Sequence, residues 1–180
     1  MLKTLVINPI SQTHVEKIKI LFICTGNICR SPMAEAVFRR HVEESGLADC
    51  VTVDSAGTHS YNIGQEPDER AQIAVASRGY RMDSKRARQV GKADFRYFDY
   101  LLAMDEGNLA ILNKLCPPDC VHKLGLFMRY GANYPGQEIL DPYHGGSRSF
   151  ELVLDMVENA ATGLLEHISR ELIAQNAKAR

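Results

Sequence analysis

The chain has 180 residues, 45% of them hydrophobic and 24% charged, with a formal net charge of −1. That balance suits one globular domain with one core, and it gives no general attraction to nucleic acid or anionic lipid, so any anion site must be local. No apolar run approaches the roughly 18 residues of a membrane span, residues 1–17 lack the apolar stretch of a secretory signal, and five cysteines without the spacing of a secreted disulfide framework point to reduced thiols in a cytoplasmic protein.

Residues 1–16 read as an N-terminal extension before a single domain over 17–180, with TLVIN (4–8) as a short strand that Pro9 ends. KIKILFIC (17–24) has the short, isoleucine-rich apolar run of a buried strand. Ser31 as N-cap and Pro32 at the first helical position predict a helix reaching Ser45-Gly46. VTVDSAG (51–57) is a second strand, and DERAQIAVASRGY (68–80) a second helix with Gly79 as its stop signal. YFDYLLAM (97–104) is a third strand, followed by a helix over DEGNLAILNKL (105–115) with acids in its first turn. VHKLGLF (121–127) is a fourth strand and residues 130–146 are loop. SFELVLDMVENAATGLLEHISRELIAQ (149–175) has a long helical period in which Gly163 is tolerated. Repeated strand–helix order predicts an α/β fold, a parallel sheet with helices on both faces. Ligands bind beyond the carboxyl ends of such strands, and Cys24 stands at one of them.

The loop after that strand, Cys24-Thr25-Gly26-Asn27-Ile28-Cys29-Arg30, joins several anion-binding devices. Backbone N–H groups in a tight strand-to-helix loop form a nest, and the following helix adds its positive end. Gly26 permits close approach and unusual dihedrals; Asn27 tolerates the left-handed region and can hold the loop through its side chain. Arg30 offers a planar fork that matches two phosphate oxygens. A thiol at the floor of this nest is favoured as the attacking thiolate, and Ser31 can donate to the sulfur as it departs. The same donors suit the equatorial oxygens of a transferring phosphoryl group. Cys24 is therefore a candidate nucleophile with a phosphate-sized cradle.

CTGNICRSPMAEAVF (24–38) resembles the active-site loop and first helix of the low-molecular-weight protein-tyrosine phosphatases. The similarity continues through DSAGTHSYNIGQEPDERA (54–71), ARQVGKADFRYFDYLLAMDEGNL (87–109) and DPYHGG (141–146), in the family's order and spacing from residue 18 to about 170. The resemblance implies a three-layer sandwich, a four-stranded parallel sheet flanked by helices in a flavodoxin-like topology. It implies a metal-independent hydrolase without cofactor, acting on a phosphotyrosine-containing protein; a tyrosine kinase of polysaccharide export is one familiar partner class.

It also implies roles. Asp141 is the general acid and then the base that activates water, so it must be protonated on one leg of the cycle. Ser55 bonds Asn27 and holds the nest, and Asp105 orients Arg30. Tyr61 and Tyr143 are walls selecting flat phenyl phosphates. The family normally has a second aromatic where this chain has His144, which keeps a flat ring but adds polarity. A reversible Cys24–Cys29 disulfide is implied as protection against irreversible oxidation. Where the family often has a histidine this chain has Lys85, and no role carries over.

Three other readings share the loop. Phosphoarginine phosphatases carry threonine before the second cysteine, where the larger, apolar Ile28 favours an aryl ester. Thiol-dependent arsenate reductases need relay cysteines after the third strand, and LLAMDEGN has none. A non-catalytic anion-binding module would have lost the nucleophile or the acid, and neither is lost. Cys116, Cys120 and His122 lie within seven residues, but the intervening prolines and the missing fourth ligand argue against zinc. Cys50 has no suggestive neighbours.

Overall fold

The computed structural model describes residues 17–82 and 85–178. The N-terminal extension, with its expected strand over 4–8, lies outside them. The elements in chain order are β1 (Ile18–Cys24), α1 (Arg30–Glu44), β2 (Val51–Gly57), α2 (Glu69–Ser77), α3 (Lys92–Tyr97), β3 (Tyr100–Ala103), α4 (Glu106–Leu115), β4 (Leu124–Leu126) and α5 (Ser147–Lys178). All four strands are parallel, in the order β2-β1-β3-β4. This is a flavodoxin-like α/β fold. The chain moves from β1 to one side and then to the other, so the topological switch lies between β1 and β3, at whose carboxyl ends such folds bind ligands.

The central strand shows why there are three layers. Alternate side chains of a strand point to opposite faces, and β1 is apolar on both. Ile18, Ile20, Phe22 and Cys24 join the larger cluster with Val37, Phe38, Val153 and Leu164 of α1 and α5. Leu21 and Ile23 join Phe95, Leu101 and Leu112 on the other face. Phe22 meets Phe38 and Phe127 edge-on, at centroid distances of 5.7 and 4.7 Å, the geometry aromatic quadrupoles prefer. No helix among the described residues is long and apolar enough to cross a membrane.

The boundaries differ from the sequence reading in several places, α2 ending three residues early at Ser77 among them. The first helix begins at Arg30, with Cys29 as N-cap and no side-chain cap bond. Ser31 is not the N-cap because its hydroxyl faces Cys24 and the Ala56 carbonyl, and Pro32 falls third in the helix rather than first. The expected strand over 97–104 is only Tyr100–Ala103. Before it stands α3, where the Asp94 carboxylate accepts from Gly91 N at 2.7 Å and Phe95 is buried. The fourth strand is only Leu124–Leu126, because a 3-10 helix occupies Pro118–Lys123. The last helix starts at Ser147, two residues early, and runs to Lys178.

Gly163 is more than tolerated. A Cβ there would collide with the carbonyl oxygen of Tyr130 and lie 3.0 Å from its carbonyl carbon, so α5 rests directly on the backbone of the 3-10 turn Phe127–Tyr130. Alanine normally gains up to about 1 kcal/mol over glycine inside a helix, whereas overpacking against rigid backbone costs about 1–3 kcal/mol. Gly163→Ala should therefore destabilise by about 1–2 kcal/mol, read as a lower urea midpoint at unchanged m-value. A raised midpoint would show that the turn yields.

Candidate active site

The loop from Cys24 to Arg30 is held from outside by its own carbonyls. Cys24 O accepts from Thr58 N (2.8 Å), Thr25 O from His59 N (3.0 Å) and Ile28 O from Asp68 N (2.8 Å). Asn27 takes a φ of +56°, the one positive-φ residue other than glycine among those described. Its side chain repays that strain. Nδ2 donates to Ser31 Oγ and Ser55 Oγ, both at 2.9 Å, and Oδ1 accepts from Arg88 N at 3.0 Å.

The unusual dihedral therefore belongs to Asn27 and not to Gly26, which has no positive φ. A Cβ at Gly26 would lie 2.6 Å from Asn62 Oδ1, so the Asn62 side chain would have to move aside. Gly57, to which the sequence reading gave no role, matters more: its added Cβ would meet backbone, 2.8 Å from Thr25 O and 3.1 Å from Asn27 N. The end of β2 thus presses on the loop backbone. A glycine closing a strand in DSAG was the available signal.

Cys24 is buried. Its Sγ lies 3.1 Å from Ser31 Oγ and accepts from Asn27 N at 3.3 Å. Ser31 in turn donates to Ala56 O at 3.1 Å, and across the contact to Cys24 Sγ either group can be the donor.

Arg30 is 2% exposed and bonds four residues from three segments. Nη1 donates to Asp105 Oδ2 (2.5 Å) and Ile139 O (2.9 Å). Nη2 donates to Thr25 Oγ1 (3.2 Å) and Asp141 Oδ2 (3.3 Å). Asp105 serves both roles open to it, because its Oδ1 also caps α4 through Asn108 N at 2.7 Å. The Asn108 side chain bridges the same pair, its amide nitrogen 3.2 Å from the Asp105 carboxylate and its oxygen 3.1 Å from Thr25 Oγ1. Asp141, on the loop before α5, also accepts from Tyr143 N at 3.1 Å through Oδ1.

A further layer lies behind the loop. Ser55 Oγ donates to Glu35 Oε2 at 2.6 Å. Glu35, buried on α1, receives Lys85 Nζ at 2.8 Å and also pairs with Arg39; Lys85 reaches Asp54 at 2.8 Å as well. Burial works against the Lys85 ammonium, but the bonds to Asp54 and Glu35 outweigh it and hold its pKa above the usual lysine range. Lys85, assigned no role from sequence, thus ends a chain of bonds running through Glu35, Ser55 and Asn27 to the phosphate loop. An acid four residues after Ser31 on the apolar face of α1 was the legible hint.

A cavity of about 350 Å³ opens above Cys24, lined by the loop, Asp141, Tyr61, Asn62, Tyr143 and His144. Tyr61 stacks on His59 at 4.9 Å and 19°, and Tyr143 meets His144 edge-on at 5.1 Å. Cys29 also lines it and is a free thiol, as are the other four cysteines. Burial first, then the Asp68 carboxylate, push the Cys29 pKa up to about 12. Cys120 is buried and Cys116 packs beside it on the α4 face of the sheet. No group of three His, Cys, Asp or Glu side chains among the described residues is placed to share a metal ion.

The sequence model of the low molecular weight phosphotyrosine protein phosphatases matches residues 19–175. The chain belongs to this family. It is 42% identical over 157 residues to the low molecular weight protein-tyrosine-phosphatase of Streptomyces coelicolor, covering 86% of this chain and 95% of that one. It is also 42% identical over 151 residues to the human low molecular weight phosphotyrosine protein phosphatase, covering 82% and 93%. Among solved structures, a protein tyrosine phosphatase from Entamoeba histolytica with Hepes in its active site superposes with a TM-score of 0.84 at 38% identity, covering 86% of this chain and 99% of that one. A low molecular weight phosphotyrosine phosphatase from Vibrio cholerae gives 0.79 at 35%, covering 86% and 98%. The family match spans every residue of the cavity wall and of the bonds behind it.

Proposed function

We propose that this phosphatase hydrolyses phosphotyrosine in proteins, and small aryl phosphates, through a phosphocysteine on Cys24. The observation that carries the reading is the floor of the cavity, where the Cys24 sulfur, the Arg30 fork and the Asp141 carboxylate converge. Carbonyls engaged on the outer side leave the loop's cavity side to donors, which receive the phosphoryl oxygens with Arg30. The Cys24 thiolate attacks phosphorus. The P–O bond to the ring breaks, and Asp141 gives its proton to the departing phenolate. Asp141, now a carboxylate, takes a proton from water; the hydroxide attacks phosphorus and the S–P bond breaks. Ser31 donates to the sulfur as its charge returns, and inorganic phosphate leaves. Arginine and amides supply the positive field, so the steps call for no metal.

Tyr61 and Tyr143 frame a slot for a flat ring, with Ile28 as an apolar neighbour, which favours phosphotyrosine over phosphoarginine. The free thiols suit a reducing cytoplasm. Hydrolysis of a phosphotyrosine peptide and of phosphoarginine should be compared on one sample with EDTA present. The peptide should be the better substrate by kcat/KM, and rapid-quench mass spectrometry should find phosphate on the Cys24 peptide. Faster phosphoarginine turnover would reassign the branch; turnover without phosphocysteine would sink the mechanism.

The Cys24–Cys29 pair carries an oxidation prediction. Peroxide converts the Cys24 thiolate to a sulfenic acid; Cys29 then displaces water to form a disulfide that dithiothreitol reduces. With its pKa near 12, Cys29 is overwhelmingly protonated at neutral pH, so capture should quicken as pH rises. Cys29→Ser should regain less activity after peroxide than the parent, and equal recovery would remove the protective role.

A further inference from the structure

Asp141 sits on a segment, residues 137–146, that belongs to no helix or strand. Proton transfer tolerates little misplacement, so something must register this segment on the phosphate loop. Its entry is fixed at Ile139, whose N donates to Met104 O at 3.0 Å and whose carbonyl receives Arg30. Its exit is fixed by Arg70, at the start of α2. Arg70 Nη1 donates to Gly145 O at 3.1 Å, and the guanidinium lies 5.6 Å from the Tyr143 ring and 4.7 Å from the Phe150 ring.

Asp68 grips the same guanidinium in bidentate fashion, Nε to Oδ1 at 3.0 Å and Nη2 to Oδ2 at 2.8 Å. The Asp68 backbone N–H is the donor that holds the Ile28 carbonyl of the phosphate loop, at 2.8 Å. A continuous path therefore runs from the loop with the nucleophile, through Asp68 and Arg70, to the segment with the acid. Only a planar fork can donate two bonds to Asp68 and still send Nη1 to Gly145; a lysine cannot. The Arg70 side chain is 40% exposed, and ion pairs at such exposure contribute little to stability. Its consequence is geometric.

We propose that Arg70 is a positioning residue for proton transfer: held by Asp68, it clasps Gly145 and Tyr143 and so keeps Asp141 in register with Cys24. The inference rests on Asp141 as the proton donor. In this two-step mechanism kcat/KM reports attack by sulfur and departure of the phenolate, so the leaving group reveals how much acid help is needed. Phenyl phosphate needs a proton; 2,4-dinitrophenyl phosphate leaves largely unaided.

Arg70→Met and Arg70→Lys should each lose about tenfold or more in kcat/KM with phenyl phosphate and under about threefold with the dinitrophenyl ester, the pattern of Asp141→Asn in weaker form. Amide hydrogen exchange at residues 143–146 should quicken in both. Equal losses on the two esters, or an Arg70→Lys variant matching the parent, would overturn the clasp. If Asp141→Asn itself shows no leaving-group dependence, the acid assignment fails instead; the exchange rates then decide, and unchanged exchange in Arg70→Lys overturns the clasp.

Discussion

Cys24→Ser should lower aryl phosphate hydrolysis by at least about 10⁴-fold while leaving the protein folded and able to bind inorganic phosphate. A serine hydroxyl is a competent nucleophile only beside a base that removes its proton. The groups hydrogen-bonded to Sγ are Ser31 Oγ at 3.1 Å and the Asn27 N–H at 3.3 Å, and neither is a base. A thiol can ionise without one, which is why this floor needs sulfur. Arg30 and the loop donors remain in the variant, and the repulsion between a thiolate and an incoming anion is gone. Phosphate should then bind at least as tightly as to the parent by calorimetry. Turnover within about a hundredfold of the parent would sink the mechanism, because no alternative base stands at that distance.

Arg30→Lys should cost about 10²–10³-fold in kcat/KM, although charge is conserved. The guanidinium makes four bonds in fixed directions, to Asp105, Ile139, Thr25 and Asp141, and an ammonium has three rotating donors on a flexible stem. Ile139 is fully buried, so its carbonyl has no water to replace the lost donor. Each buried acceptor left unpaired costs about 1–3 kcal/mol, so the urea midpoint should fall together with the rate. A variant with near-parental activity would show that net charge, rather than the fork, holds the phosphate.

These two effects concern residues that were legible in the chain, and the reason is local. Cys24 and Arg30 bound one loop between a strand and a helix, and the loop chemistry is written in seven consecutive residues. β1 was equally plain, since an apolar run covered on both faces has no other use. α3 was not: at six residues it is too short for a periodicity, and its start depends on Asp94 reaching back to Gly91. Lys85, Glu35, Gly57 and Arg70 were missed for a different reason. Each acts across elements far apart in sequence, through a hydrogen bond or a close approach that only packing creates. Ser31 shows the limit from the other side: Ser-Pro is a sound helix-start signal, yet the hydroxyl is drawn away by the sulfur and by Ala56, and the helix begins two residues earlier.

The two-faced strand β1 also sets an order of events during synthesis. Cys24, at its end, leaves the ribosome 117 residues before Asp141, and the helix α5 that covers Ile20 and Phe22 emerges later still. Until that last helix packs, this face of the central strand has α1 but not α5 as its cover, and until residues 139–141 are made Arg30 has neither the Ile139 carbonyl nor the Asp141 carboxylate to hold it. On the proposed mechanism the attacking thiol is therefore made early and armed late: a nascent or truncated chain carries the Cys24–Arg30 loop without the means to use it.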